Sequence, residues 1–188
     1  MFMRGAIDKV WVEDGQIRTH TISDAPAVGI CGSGLIDAVA AGLDTGFIDE
    51  TGAMDDDEFT LAPGCSLTGA DIRAVQLAKA AIAAGIQTLL ETAGVSYSQV
   101  TTLYIAGGFG SHLSPQSAAR IGLLPAELVP RVKVIGNAAL GGASSLLLDE
   151  EGERATTAIA EKSVHVNLGG NPAFNENYME QMLFPEDE

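Results

Sequence analysis

Apolar and polar residues alternate over positions 6–12 and again over 16–22, and Asp14-Gly15 between them suits a two-residue hairpin turn. The chain is therefore expected to open as a β-hairpin. After Pro26, Val28-Gly29-Ile30 reads as a strand end, Cys31-Gly32-Ser33-Gly34 as a tight turn, and Leu35-Ile36-Asp37-Ala38-Val39-Ala40-Ala41 as a helix capped by Ser33. A short strand is expected near Phe59-Thr60-Leu61. The longest helical pattern fills 68–93, with Thr68 and Asp71 as a capping pair and Gly94 as the stop. Its periodicity predicts one apolar face carrying Ile72, Val75, Ile82, Ile86, Leu89, Leu90 and Ala93, and Lys79 falls inside that stripe.

Further on, Thr102-Leu103-Tyr104-Ile105-Ala106 predicts a strand running into Gly107-Gly108-Phe109-Gly110, with Ser114-Pro115 opening a helix through Ile121. The same order returns as Val132-Lys133-Val134-Ile135, Gly136-Asn137 and a small-residue helix over 138–148. Helices over 155–161 and 174–183 flank an expected strand at Val164-His165-Val166. Alternating strands and helices indicate an α/β fold, with antiparallel character from the hairpin.

At 188 residues the chain can bury one ordinary core, and 46% hydrophobic content argues for a globular interior. Ten Lys+Arg against 25 Asp+Glu leave a net charge of −15, which disfavours nucleic acid and anionic lipid as partners. The acidic runs around 49–58, 149–151 and 186–188 read as solvated loops and ends. No apolar run is long enough for a spanning helix, so the sequence predicts a cytoplasmic protein without a membrane segment. Two cysteines, Cys31 and Cys65, cannot complete a four-thiolate iron–sulfur site.

Three glycine turns between a strand and a helix could let a ligand approach bare backbone or meet an anion at helix N–H groups: Gly32-Ser33-Gly34, Gly107-Gly108-Phe109-Gly110, and Gly136-Asn137. Taken singly, each is more often plain chain geometry than a ligand contact. None is a Walker loop or has G-x-G-x-x-G spacing. Lys79 stands out, because a cation on a buried face must snorkel, find a carboxylate or face a cleft; Gln76 lies one turn before it. The three histidines show no ligand spacing and no nucleophile elbow occurs.

Five ordered blocks now identify a likeness. Gly29-Ile30-Cys31-Gly32-Ser33-Gly34-Leu35-Ile36-Asp37, the Asp71-Ile72-Arg73-Ala74-Val75-Gln76-Leu77-Ala78-Lys79-Ala80-Ala81-Ile82 helix, Tyr104-Ile105-Ala106-Gly107-Gly108-Phe109-Gly110, Ile121-Gly122-Leu123-Leu124-Pro125 and Val134-Ile135-Gly136-Asn137-Ala138-Ala139-Leu140-Gly141-Gly142-Ala143 resemble the C-terminal domain of the reductive activators of corrinoid proteins. That resemblance implies an actin-like, ribonuclease H-like α/β ATPase subdomain over 1–188, with an N-terminal β-hairpin and a long core helix. In such activators ATP drives an uphill electron transfer from a ferredoxin-type [2Fe-2S] module to an inactive Co(II) corrinoid. By position, Gly107, Gly108 and Phe109 resemble the adenosine motif of the superfamily, with Gln76 and Lys79 on the helix across the nucleoside. Gly136-Asn137 resembles its connecting motif.

The resemblance also implies what this chain is not expected to hold. The phosphate and Mg²⁺ loops of Asp-x-Gly-Thr type are absent, Asp44-Thr45-Gly46 having another order, and Gly69-Ala70 replaces an expected Gln-Lys. Those loops and the cluster cysteines are expected in upstream domains of the same polypeptide, so the chain alone is expected neither to hydrolyse ATP nor to carry electrons. A corrinoid protein is the implied partner, and a homodimer is left open. Two rival expectations are a fragment of a small-molecule kinase of the same superfamily and a non-catalytic interaction domain.

Overall fold

The computed structural model describes residues 3–108, 110–149 and 151–186. The expected hairpin is present as β1 (Ala6–Glu13) and β2 (Gln16–Thr21), antiparallel, with Asp14 and Gly15 both at positive φ as a two-residue turn of this kind requires. A two-residue strand, β3 (Gly29–Ile30), adds parallel to β1 and leads into α1 (Gly32–Asp44). Here α1 starts two residues earlier than expected. Cys31 is its N-cap, without a side-chain capping bond, and Ser33 lies inside the first turn, where its hydroxyl donates to the Asp8 carbonyl at 3.0 Å. Ser33 is thus a tie between helix and strand and not a cap.

A second hairpin, β4 (Glu58–Ala62) with β5 (Cys65–Thr68), turns Phe59, Leu67 and Cys65 into the core and stacks Phe59 on Phe47 at 4.8 Å. It feeds α2 (Gly69–Ala93). Thr68 and Asp71 form the reciprocal capping box read from the sequence, and Gly94 ends the helix in the left-handed conformation. The buried face differs from the expected one. It carries Ile72, Val75, Gln76, Lys79, Ala80, Ala83, Ala84 and Thr88, whereas Ile82 and Leu89 are exposed. Small residues face inward because α6 (Pro172–Glu180) lies close along α2, where Asn177 donates to Thr88 Oγ1 at 3.0 Å and to Glu91 at 3.2 Å.

Two short parallel strands, β6 (Leu103–Ala106) and β7 (Val132–Gly136), form a separate sheet, with α3 (Pro115–Arg120) between them in sequence. Arg131, just before β7, donates to the carbonyls of Tyr97 at 2.7 Å and Val100 at 2.8 Å, which pins the loop entering β6. Arg131→Ala is expected to cost about 1–3 kcal/mol, since the carbonyls lose a charged donor. Hydrogen exchange at 97–100 should accelerate, and unchanged protection there would contradict the clamp.

Beyond β7 the packing thins. No residue of α4 (Ala138–Leu148) is buried, Leu147 and Leu148 stand 86% and 87% exposed, and α5 (Gly152–Lys162) leaves Ile159 in the open. The strand expected at 164–166 does not form. Val164 is 86% exposed there, so the segment lacks the packed face that stabilises a strand.

After α6 the tail returns across the core. Phe184 is buried and its N–H donates to the Glu50 carbonyl at 2.8 Å, while Arg120 donates to the Pro185 carbonyl at 3.0 Å and pairs with Asp44 at 2.6 Å.

Candidate functional site

The two glycine turns at the carboxyl ends of β6 and β7 stand side by side. The Gly107 N–H donates to the Gly136 carbonyl at 2.7 Å, and the register slips by one residue just before this point. Gly107 has φ +96°, outside the range comfortable for side chains, and Gly136 has φ +63°. Among the described residues a Cβ at Gly107, Gly108, Gly136 or Gly141 would meet nothing within 4 Å, so this end of the sheet presents a backbone ledge. The start of α4 adjoins it, where Asn137 caps that helix by accepting from Leu140 N–H at 3.0 Å. Ligands of open parallel α/β sheets sit in such crevices outside the carboxyl ends of the strands. Phe109, the third member of the expected contact set, lies outside the described residues.

The first glycine turn is built differently. Gly34 is buried, and a Cβ there would lie 2.2 Å from the Ile7 carbonyl oxygen. Its lack of a side chain lets α1 touch β1. Gly32 is exposed, and the half-buried Cys31 thiol lies 3.2 Å from the Ser33 hydroxyl.

Gln76 and Lys79 are almost wholly buried, at 2% and 1% exposure. The Gln76 amide donates to the Thr51 carbonyl at 2.9 Å and accepts from Arg73 at 3.1 Å, and it leaves no room for a side chain on Gly52. It therefore holds the acidic 49–58 loop. The Lys79 ammonium donates to the Leu183 carbonyl and lies 5.5 Å from the centre of the Phe184 ring. Burial pulls its pKa down from 10.5 to about 8. The hydrogen bonds of both residues thus go to the acidic loop and the C-terminal tail, not to the Gly107–Gly108 ledge.

Sequence reasoning passed over Asp37. Its Oδ2 accepts from Val10 N–H at 3.4 Å, while Oδ1, equally buried, has no partner among the described residues. Burial raises its pKa, only partly offset by the Ser117 hydroxyl, the Val10 N–H and the charge of Lys9. A charged residue inside the apolar run 35–41 was the available signal. The folded state holds this proton to higher pH than the unfolded chain, so the Asp37 contribution to stability falls as pH rises above the ordinary carboxylate range. Asp37→Asn is expected to flatten that slope and to stabilise the fold at pH 7. Urea midpoints measured from pH 4 to 7 check this, and an Asn variant with an unchanged slope would refute it.

Among the described residues no three metal-ligating side chains come together, and no helix is long and apolar enough to cross a membrane. Comparison with known proteins now decides the family: the model described as the C-terminal domain of RACo, the ASKHA domain, matches residues 2–188. The chain belongs to that family. This RACo-type ASKHA domain is 35% identical to the corrinoid activation enzyme RamQ of Eubacterium limosum, over 97% of the chain and 36% of RamQ. It is 28% identical to the [Co(II) methylated amine-specific corrinoid protein] reductase of Methanosarcina barkeri, over 84% of the chain and 29% of that enzyme. A solved reductive activator for corrinoid, iron-sulfur protein superposes with a TM-score of 0.87 and 32% identity, over 98% of this chain and 33% of the other. The ASKHA domain thus spans about a third of the relatives it matches. The mixed α/β architecture, the opening hairpin and the long α2 agree with the fold class expected from the sequence.

Proposed function

We propose that this domain forms the nucleoside-facing wall of an ATP cleft in an activator that returns Co(II) corrinoid to Co(I). The observation that carries the reading is the ledge at Gly107 and Gly108, open at both Cβ positions and set at the carboxyl end of parallel strands. A flat heterocycle can lie against such backbone. The residues present therefore fit the nucleoside, and ATP, when bound, would supply the free energy of the reduction. Gln76 and Lys79 fix the acidic loop and the C-terminal tail against α2.

Phosphate and Mg²⁺ contacts, and a [2Fe-2S] cluster, are assigned to upstream domains of the same polypeptide, since two cysteines cannot ligate a cluster. Those domains are also the proposed cover for the bare side of β7 and α4, because parallel strands are ordinarily covered on both faces. The partner of the whole assembly is a corrinoid protein, and its setting is cytoplasmic.

Titrating the chain with ADP, followed by amide chemical shifts, tests the reading. Shifts should centre on 106–108 and 136–137. Gly107→Ala should weaken binding about ten-fold, as a methyl at φ +96° strains the turn and thickens the ledge. Shifts elsewhere, or an alanine variant that binds as well, would remove the nucleoside role. Release of inorganic phosphate from ATP should stay at background, because stabilising the transferring phosphoryl group needs the metal loops.

A further inference from the structure

Ile82, expected in the core, is 50% exposed, on a second face of α2. Asp71, Ala74, Ala78 and Ile82 succeed one another there at helical spacing, and with Leu35 and Leu123 they wall a cavity of about 320 Å³ beside the start of α1. Its volume falls in the range of small-ligand sites. Lys79 gives this cavity no cation, because its ammonium is turned away to the Leu183 carbonyl and the Phe184 ring. The exposed charge is the Asp71 carboxylate. Oδ2 accepts from Thr68 N–H at 2.8 Å and from Thr68 Oγ1 at 2.6 Å, whereas Oδ1 takes no hydrogen bond and forms no ion pair among the described residues. The Thr68 hydroxyl and N–H hold this carboxyl below the usual carboxylate range, so it is ionised at neutral pH. A second hollow, lined by Gly64, Ser66 and Leu67, shares Leu35 and Asp71 with the first, which sets the carboxylate at the junction of the two.

We infer that this cavity binds a small amphipathic cation, an alkyl- or arylalkylammonium, with its hydrocarbon body against Leu35, Ala78, Ile82 and Leu123 and its ammonium donating to Asp71 Oδ1. Burial of the hydrocarbon supplies the affinity. The carboxylate selects the sign of the head group, since an ion pair this exposed adds little by itself. The start of α1, at Gly32, also lines the cavity and pulls the other way, but a helix N-terminus carries about half a positive charge against the full negative charge of Asp71. The net charge of −15 adds a long-range attraction for cations. The inference is independent of the nucleotide reading, because Gly107 and Gly108 do not line this cavity.

Hexylammonium, hexanol and hexanoate share a hydrocarbon body and differ in head group, which makes them suitable probes. Titrated at pH 7 into the unmodified chain and followed at the amides of Ala74 and Ala78, hexylammonium should bind about three- to five-fold tighter than hexanol, and hexanoate most weakly. Asp71→Asn, whose amide oxygen can still accept from Thr68, should erase the preference for the amine over the alcohol. Ala78→Trp, which fills the cavity, should abolish all three sets of shifts. Equal affinity of amine and alcohol for the unmodified chain, or tightest binding of hexanoate, overturns the proposal without any variant. So does a response centred on the exposed leucines of α4, or displacement of hexylammonium by ADP, which would make the cavity part of the nucleotide cleft.

Discussion

Gly34→Ala is expected to abolish the native fold. The added methyl would lie 2.2 Å from the Ile7 carbonyl oxygen, 2.8 Å from its carbon and 3.2 Å from Asp8 N, all main-chain atoms of β1. None can swing aside as a side-chain tip would, so α1 must lift from the strand it covers. That separation opens the contact among Ile7, Val39 and Ala38, which are all fully buried. The loss should exceed about 4 kcal/mol, a large part of the 5–15 kcal/mol that holds a domain together. Gly141→Ala makes the same chemical change inside α4, where nothing lies within 4 Å, and should instead stabilise that helix by about 0.5–1 kcal/mol. Circular dichroism and urea melts of the two variants give opposite signs if this account is right. A folded Gly34→Ala protein of ordinary stability would show that the helix–strand contact has been misjudged.

The second large effect concerns Lys79 and alkaline pH. Its folded pKa of about 8 lies below the ordinary value of 10.5, so between those limits the unfolded chain holds a proton that the folded chain has released. Stability must rise with pH across that window, by up to about 3 kcal/mol, and below pH 8 the buried charge imposes its full cost. Lys79→Met, which keeps the length of the side chain, should flatten the slope between pH 8 and 10.5 and raise stability at pH 7. Denaturant midpoints at pH 7, 8, 9 and 10 decide the matter. A wild-type curve that falls over this range would mean that the ammonium is better satisfied than its single carbonyl and the Phe184 ring suggest.

Where local rules act alone, the sequence was readable. Asp14-Gly15 specified the first hairpin, and Thr68, Asp71 and Gly94 set the limits of α2 because caps and left-handed stops are decided within a few residues. The inner face of that helix was misjudged because periodicity assigns the largest apolar residues to the interior. The approach of α6 instead favoured Ala80, Ala83 and Ala84, and two long polar side chains reached carbonyls distant in sequence, at Thr51 and Leu183. Nor could the glycine turns be ranked beforehand. Gly34 and Gly107 look alike in a strand–turn–helix pattern, and what separates them is a neighbouring backbone at one and open space at the other. The ledge at Gly107 was legible as a motif; its pairing with Gly136 needed the parallel register of β6 and β7.

How the tail is fastened determines which of its letters can drift. Leu183 and Pro185 are gripped through main-chain oxygens, by Lys79 and Arg120, and a carbonyl is the same whatever residue bears it. Phe184 alone contributes a side chain to the interior. Natural variation along this stretch should therefore run freely at 183, while 184 keeps an aromatic ring.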